Sequence, residues 1–345
     1  MIAASPTPAA ALDVRLDLYK ALSDRPERWW NISLAYRCGR IDPAGLEKVL
    51  AAGSQAAFNG WVGAAMRSIP RAELDEMRHQ TEWRNKIAAA NLEHATTYWA
   101  APDMTDLLEH AAGTFPAQPL AREHLPVPCG FLVLPQPSTC NIEGRDLTVS
   151  VLAWTDIHWI VKAMGGKSPD TAIPGVVLTP FHNKPAGGVD GWEATLPTGR
   201  LFWPFGSEWG ERETEAERDP DETAAAIAIS RLAATFWTLI DQEITTEEES
   251  RPDRAAARRL QRELPDDPAT VRIITLRRTR NEGASGNDDE ERGKYSHRFI
   301  VDGHWRNQAW GPNHSLRRHQ WINAYTKGPD DKPLVVKDKV YAWRR

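Results

Sequence analysis

Cys129-Gly-Phe-Leu-Val-Leu134 is a short apolar run hemmed in by turn formers, with Pro116, Pro119, Pro126 and Pro128 before it and Pro135 and Pro137 after it. A run this short between prolines reads as a strand. Similar runs follow at Leu147-Thr-Val-Ser-Val-Leu-Ala-Trp154, Gly175-Val-Val-Leu-Thr-Pro-Phe181 and Leu201-Phe-Trp-Pro-Phe205, with Asn183 to Gly199 as one of the connecting loops. Strands that succeed one another without intervening helices imply a mostly antiparallel sheet or a small barrel.

Upstream, from about Leu12 to Glu109, the pattern turns helical. Leu16, Leu18, Tyr19 and Leu22, then Leu46, Val49 and Leu50, recur at helical spacing among alanines. Asp42-Pro43 has the form of a helix start, and Leu34–Leu50, with Arg37 and Arg40 between two predicted helices, has the outline of a helix-turn-helix. A short helical bundle is the simpler expectation. Downstream, Asp219-Pro-Asp-Glu222 sets a proline and carboxylates where a helix dipole is positive, and Ile227, Leu232, Phe236, Leu239, Ile240 and Ile244 give the following helix a broad apolar face to lay on the sheet. A second helix from Ser250-Arg-Pro-Asp-Arg254 carries Arg254, Arg258, Arg259 and Arg262 on adjacent turns, either as solvated surface or as a basic stripe continuous with the tail.

The fold class expected is therefore α+β: a helical region over 1–112, a central β-rich domain with a long packing helix over 113–249, and a basic helix with a small β module over 250–345. At 345 residues the chain can hold two or three cores at roughly 100–200 residues each. No run approaches the roughly 20 apolar residues that cross a bilayer, and Met1-Ile-Ala-Ala-Ser-Pro-Thr-Pro8 lacks the form of a secretory signal, so a cytoplasmic protein without a membrane partner is expected. Cys38, Cys129 and Cys140 are odd in number and widely spaced, which suits neither a disulfide framework nor a zinc ribbon. Fifteen tryptophans against eight phenylalanines predict mostly core anchors, with the exceptions where Trp lies among Arg and His.

Charge is unevenly divided. Residues 271–345 hold 16 Lys and Arg against 9 Asp and Glu, while residues 1–270 hold 26 against 38. A basic tail on an acidic body suggests either a polyanion partner or docking of tail on body, in the same molecule or a second copy.

Within the tail, Val271–Arg278 and Tyr295–Asp302 read as a hairpin around the polar loop Arg280–Arg292, with further strands over Gln320–Tyr325 and Leu334–Trp343. Period two puts Trp321, Asn323, Tyr325 and Lys327 on one amphipathic side, the candidate surface, and Ile322 and Ala324 on the other. Gly303 can admit a bulge, so counting does not assign His304, Trp305 and Arg306 to a side. Trp305, Trp321 and Tyr325 offer planes for bases, and Arg306, Arg317, Arg318 and Lys327 offer cations for phosphate, a combination suited to RNA or single-stranded DNA. His297, His304 and His319, with His314, supply groups that titrate near neutrality, from which a metal-independent ribonuclease could draw a general base and acid. His314 and His319 lack a cysteine or acidic partner, so no metal is expected, and no cofactor motif is present.

The stretch His297-Arg-Phe-Ile-Val-Asp-Gly-His-Trp-Arg-Asn-Gln308, with Trp321-Ile-Asn-Ala-Tyr-Thr-Lys-Gly-Pro329, resembles a C-terminal module of uncharacterised proteins of actinobacteria, their plasmids and phages. Arg251-Pro-Asp-Arg-Ala-Ala-Ala-Arg-Arg259 and Val271-Arg-Ile-Ile-Thr-Leu-Arg-Arg278 are similar to segments that precede it there. The resemblance covers about the last hundred residues and implies a context of mobile or accessory genes, not an activity. The first reading is thus a nucleic-acid-associated accessory protein, the second a toxin-type ribonuclease, the third an interaction scaffold without catalysis.

Overall fold

The structure is a computed structural model that describes residues 7–24, 44, 45, 48, 54–142, 145–166, 173–183, 192–194, 201–208, 220–252, 254–277, 297–329, 332 and 333. Its elements in chain order are α1 (Ala10–Asp24), α2 (Gln55–Met66), α3 (Arg71–His94), β1 (Thr96–Ala100), α4 (Pro102–Ala112), β2 (Cys129–Ile142), β3 (Arg145–Asp156), α5 (Ile157–Ala163), β4 (Gly175–Asn183), β5 (Trp192–Ala194), β6 (Leu201–Pro204), α6 (Pro220–Ile240), β7 (Thr245–Ser250), α7 (Arg254–Glu263), β8 (Val271–Leu276), β9 (Phe299–Val301), β10 (His304–Trp310), β11 (Leu316–Ile322) and β12 (Tyr325–Lys327). The expected helix start at Asp42-Pro43, the loop Arg280–Arg292 and the strand Leu334–Trp343 lie outside the described residues, as does nearly all of Leu34–Leu50.

The α+β class holds, and the four apolar runs are β2, β3, β4 and β6, with β2–β3, β3–β4 and β4–β6 paired antiparallel. What periodicity missed is β1, five residues inside the stretch expected to be wholly helical. Thr-Thr-Tyr-Trp-Ala is β-branched and aromatic, and Pro102 at the head of α4 ends it. β1 runs parallel to both β2 and β8, with α4 as the crossover to β2, and it joins the halves of a sheet ordered β5-β4-β3-β2-β1-β8-β7, with β6 also on β4. All three expected segments therefore contribute to one sheet. Pro135 and Pro137 do not end β2, because they fall where its register on β3 shifts between Val133 and Ser138, and a bulge asks no ladder hydrogen bond of them.

Two strands differ from expectation. β8 does not pair with the segment after residue 295; it joins β1 and β7, because Val271 and Ile274 alternate into the cores on opposite faces. β7 occupies the Glu-rich stretch after the long helix. Its exposed glutamates suit the outermost strand, where charge discourages further pairing.

Alternation along the strands divides the interior into two layers. Phe131, Val133, Val151 and Val271 face α1, α3 and α7, whereas Leu132, Leu134, Leu152 and Trp154 face α4 and α6. Trp154, Trp203 and Trp237 lie in the second layer, Trp154 stacked on Tyr98 at 5.7 Å and Trp203 on Trp237 at 6.3 Å. Cys129 is buried, and burial pushes its thiol up to about 12, so it stays protonated. Among the described residues no helix is long and apolar enough to cross a membrane.

The first layer is locked by Arg15. Its Nε donates to the Leu92 carbonyl (2.6 Å), Nη1 to Thr97 Oγ1 (2.9 Å) and Nη2 to the Glu93 carbonyl (3.2 Å) and to Asp267. One side chain thus ties α1 to the end of α3, to β1 and to the turn before β8. Arg259 binds Asp13 through two hydrogen bonds, so one of the four expected stripe cations is committed to packing α7 on α1. Removing one partner of a buried ion pair strands the other charge, which costs about 3–5 kcal/mol. Asp267→Ala is expected to lower unfolding free energy in urea by that amount, and the pair Arg15→Met with Asp267→Leu to recover much of it. A loss under about 1 kcal/mol in the single variant would show that the pair is not the lock.

Candidate nucleic-acid interface

The tail strands form one long ribbon. In β9–β12 Tyr325 faces Val301 and Lys327 faces Phe299, and in β10–β11 His304 faces Ile322 and Trp310 faces Leu316. Every pair keeps the same register. No residue is inserted at Gly303, so the bulge it could admit is not used, and the glycine has a different task. A Cβ there would lie 2.5 Å from Trp321 Cζ2, so only glycine lets the indole cross the backbone.

Because the register is continuous, period two assigns the sides that counting left open. Trp305 and Trp321, Asn307 and His319, and Ala309 and Arg317 pair on one face; His304 and Ile322, Arg306 and Gln320, Gln308 and Arg318, and Trp310 and Leu316 pair on the other. The first face docks on the body. Trp321 is 2% exposed and belongs to the α4–α6 core; half-buried Trp305 packs against that core, and the two rings lie 5.3 Å apart. Trp305 Nε1 donates to the Ala111 carbonyl at 2.9 Å, meeting an acceptor in the last turn of α4, and its ring meets Phe115 edge-on at 4.8 Å. Gln242, just beyond α6, accepts from the Trp321 amide (2.9 Å) and donates to the His319 carbonyl (3.3 Å), so its side chain stands where a third strand would.

Docking corrects the sequence reading of the candidate surface. That side is inside at Trp321 and open at Asn323 and Tyr325, and the Trp305 and Trp321 planes serve the core. Arg306, Arg317 and Arg318 are exposed, and among the described residues no carboxylate pairs with any of the three. Arg306 and Arg318 share the free face as diagonal neighbours, and Arg317 lies near the tip with Nη1 3.5 Å from the His314 carbonyl. Tyr325 is exposed and Lys327 half-buried, both on the far part of the ribbon. The residue missed is Trp310, exposed on the free face with the Arg318 guanidinium 5.6 Å from its ring centre. Its signal was available: period two along the strand places an indole four residues beyond Arg306 on the same face. The basic helix α7 packs on the opposite face of the sheet from the ribbon, so its arginines do not extend this surface.

The candidate histidines do not converge. His304 and His319 project from opposite faces of the ribbon, His304 exposed with Nδ1 3.0 Å from the Asp302 carbonyl, and His297 sits beside Phe299 at 6.1 Å. His319 faces the body instead, with its ring 5.9 Å from Phe115 and close to His124. Burial holds His319 below the ordinary imidazole range and the neighbouring His124 lowers it further. Burial also lowers His124, against a small opposing effect of Glu123, and its Nδ1 accepts the Ala121 amide at 3.1 Å, a bond that a proton on Nδ1 would break. Sequence spacing could not pair residues 195 positions apart.

On the other side of the sheet a cleft of about 420 Å³ is walled by Glu93, His94, Glu249, Arg251, Asp266 and Arg272, and its floor is the Arg15–Asp267 pair, already spent on holding helices and strands. Among the described residues no cluster of three or more His, Cys, Asp or Glu is set to hold a metal ion. No family model matches the chain, and no curated protein matches it.

Two outcomes follow from the docking geometry. Gly303→Ala drives a methyl into the Trp321 ring and is expected to raise amide hydrogen exchange across 304–322 while leaving the β2 and β3 amides unchanged. Equal protection in both variants would show that the close approach is not needed. For pH, both imidazoles are depressed in the folded state, so their neutral forms favour docking above about 6.5 and the contribution falls away as pH drops below that value. Protection factors over 316–322, taken against intrinsic exchange at each pH, should therefore fall between pH 7 and pH 5, and His124→Gln with His319→Gln should flatten the change. A pH-independent wild type excludes the coupling.

Proposed function

We propose that this is a nucleic-acid-associated accessory protein that engages RNA or single-stranded DNA with the free face of its C-terminal ribbon. The observation that carries the reading is a ribbon used on two sides: one face is anchored by indoles and the other offers Arg306 and Arg318, while Arg317 is exposed near the tip on the indole side, all three without carboxylate partners among the described residues. Guanidiniums left open on a fixed scaffold attract a flexible polyanion, whose backbone can adapt to their spacing. A cytoplasmic setting and a mobile or accessory gene context accord with the chain's composition and with the family its tail resembles. Catalysis is not needed for this reading. On the ribbon, His304 and His319 project from opposite faces and so do not form an acid–base pair.

The test is salt dependence. Three phosphate contacts on a single strand give a log K against log salt slope of about −2, and each cation removed reduces it by about 0.7. Full-length protein titrated into a short labelled oligoribonucleotide should show that slope, and Arg306→Ala should bind more weakly with a shallower one. Binding that ignores salt, or no binding at all, rejects the proposal.

A further inference from the structure

Phosphate neutralisation gives no role to the indole on the same face. Trp310 is 44% exposed and Leu316, directly opposite, 45%, so the ribbon ends in an apolar pair in water. The position is firmly built. Trp310 closes a seven-residue strand, and the tip beyond it is held by His314 N–H to the Gly311 carbonyl (3.1 Å), Ser315 N–H to the Pro312 carbonyl (3.2 Å) and Ser315 Oγ to the same carbonyl (2.9 Å). Gly311 has φ +74°, and a Cβ there would come within 2.9 Å of Leu316 Cδ1, so the leucine is packed across the turn. Arg318, diagonal to Trp310, lays its guanidinium 5.6 Å from the ring centre. An indole held this way has little rotamer freedom left to lose when a flat partner arrives.

We propose that Trp310 is a base-stacking site, and that the ribbon therefore takes an unpaired nucleobase on the indole, with Leu316 at its edge and Arg318 and Arg306 on the flanking phosphates. The inference rests on the nucleic-acid reading and narrows it to strands whose base faces are free. Duplex encloses those faces between neighbouring pairs, and so meets only the cations. Arg318 serves both groups at once, because a guanidinium stacks through its face and donates through its edge. Sequence preference is weak at such a site, since every base has a π face.

The experiment compares three labelled probes of equal length against the full chain: an oligouridylate, the same backbone without bases, and a duplex. Wild type is expected to bind the oligouridylate most tightly. Trp310→Ala should weaken that probe roughly tenfold while leaving the abasic strand and the salt slope unchanged, and Trp310→Phe should retain most of the affinity. Trp310 is outside both cores, and circular dichroism checks that the variants stay folded. If Trp310→Ala weakens all three probes alike, or none, the stacking site is overturned while the phosphate reading survives on its salt slope. If wild type binds no probe, both fall. Trp310-dependent binding to anionic phospholipid vesicles, with no preference for bases over the abasic strand, overturns the site in favour of a membrane surface.

Discussion

Arg15 is the residue that the arrangement of this protein depends on. It is 1% exposed, and its guanidinium joins groups from α1, the end of α3, β1 and the turn that launches β8. Burial pushes its pKa down and Asp267 opposes the shift; the carbonyls and the carboxylate around it replace the hydration that a buried guanidinium loses. The turn is bent to make that possible. Ala269 adopts φ +52°, an uncommon conformation for a residue with a side chain, and its amide donates to Asp267 Oδ1 at 2.7 Å. Strain there aims the carboxylate at the arginine. Because β8 is the strand that continues into the tail, the lock also fixes where the ribbon's chain leaves the sheet.

The ribbon is attached by a different kind of constraint. A two-stranded hairpin has marginal stability in water, and this one gains its structure by placing one face in the core of the body. Trp321 supplies buried area, Trp305 spends its one donor on α4, and Gln242 satisfies the edge of β11. The same docking decides which side chains stay outside. Side chains alternate, so burying Trp305 and Trp321 necessarily turns Arg306, Arg318 and Trp310 outward. An anchored face and an open face are two consequences of one register.

Local signals were legible in the sequence, and long-range pairing was not. The prolines around Cys129–Leu134 and the apolar face that follows Pro220 located β2 and α6, because both depend on neighbours within a few residues. β1 was hidden by its brevity between two strong helices, and its parallel partners lie 34 and 174 positions away in register. In the tail, residue types singled out the strands that form the ribbon, but which face is open depends on the body it docks against. Gly303 is the instructive case. Its flexibility suggested a bulge, whereas the contact it makes is steric, and sequence carries no mark of the ring lying over it.

Charge totals mislead for the same reason. The tail's excess of basic residues is a property of the chain, and folding distributes it. Arg272 pairs with Glu247 across β7 and β8 at the surface, Arg298 donates to the Lys332 carbonyl, and Lys327 is half-buried. Arg306, Arg317 and Arg318 stay exposed on a ribbon set against a body rich in carboxylates. Screening confines their field to about 8–10 Å at moderate ionic strength. Under the proposed function, a polyanion is attracted by the ribbon and repelled by the acidic remainder, which favours a narrow binding track over a broad basic surface.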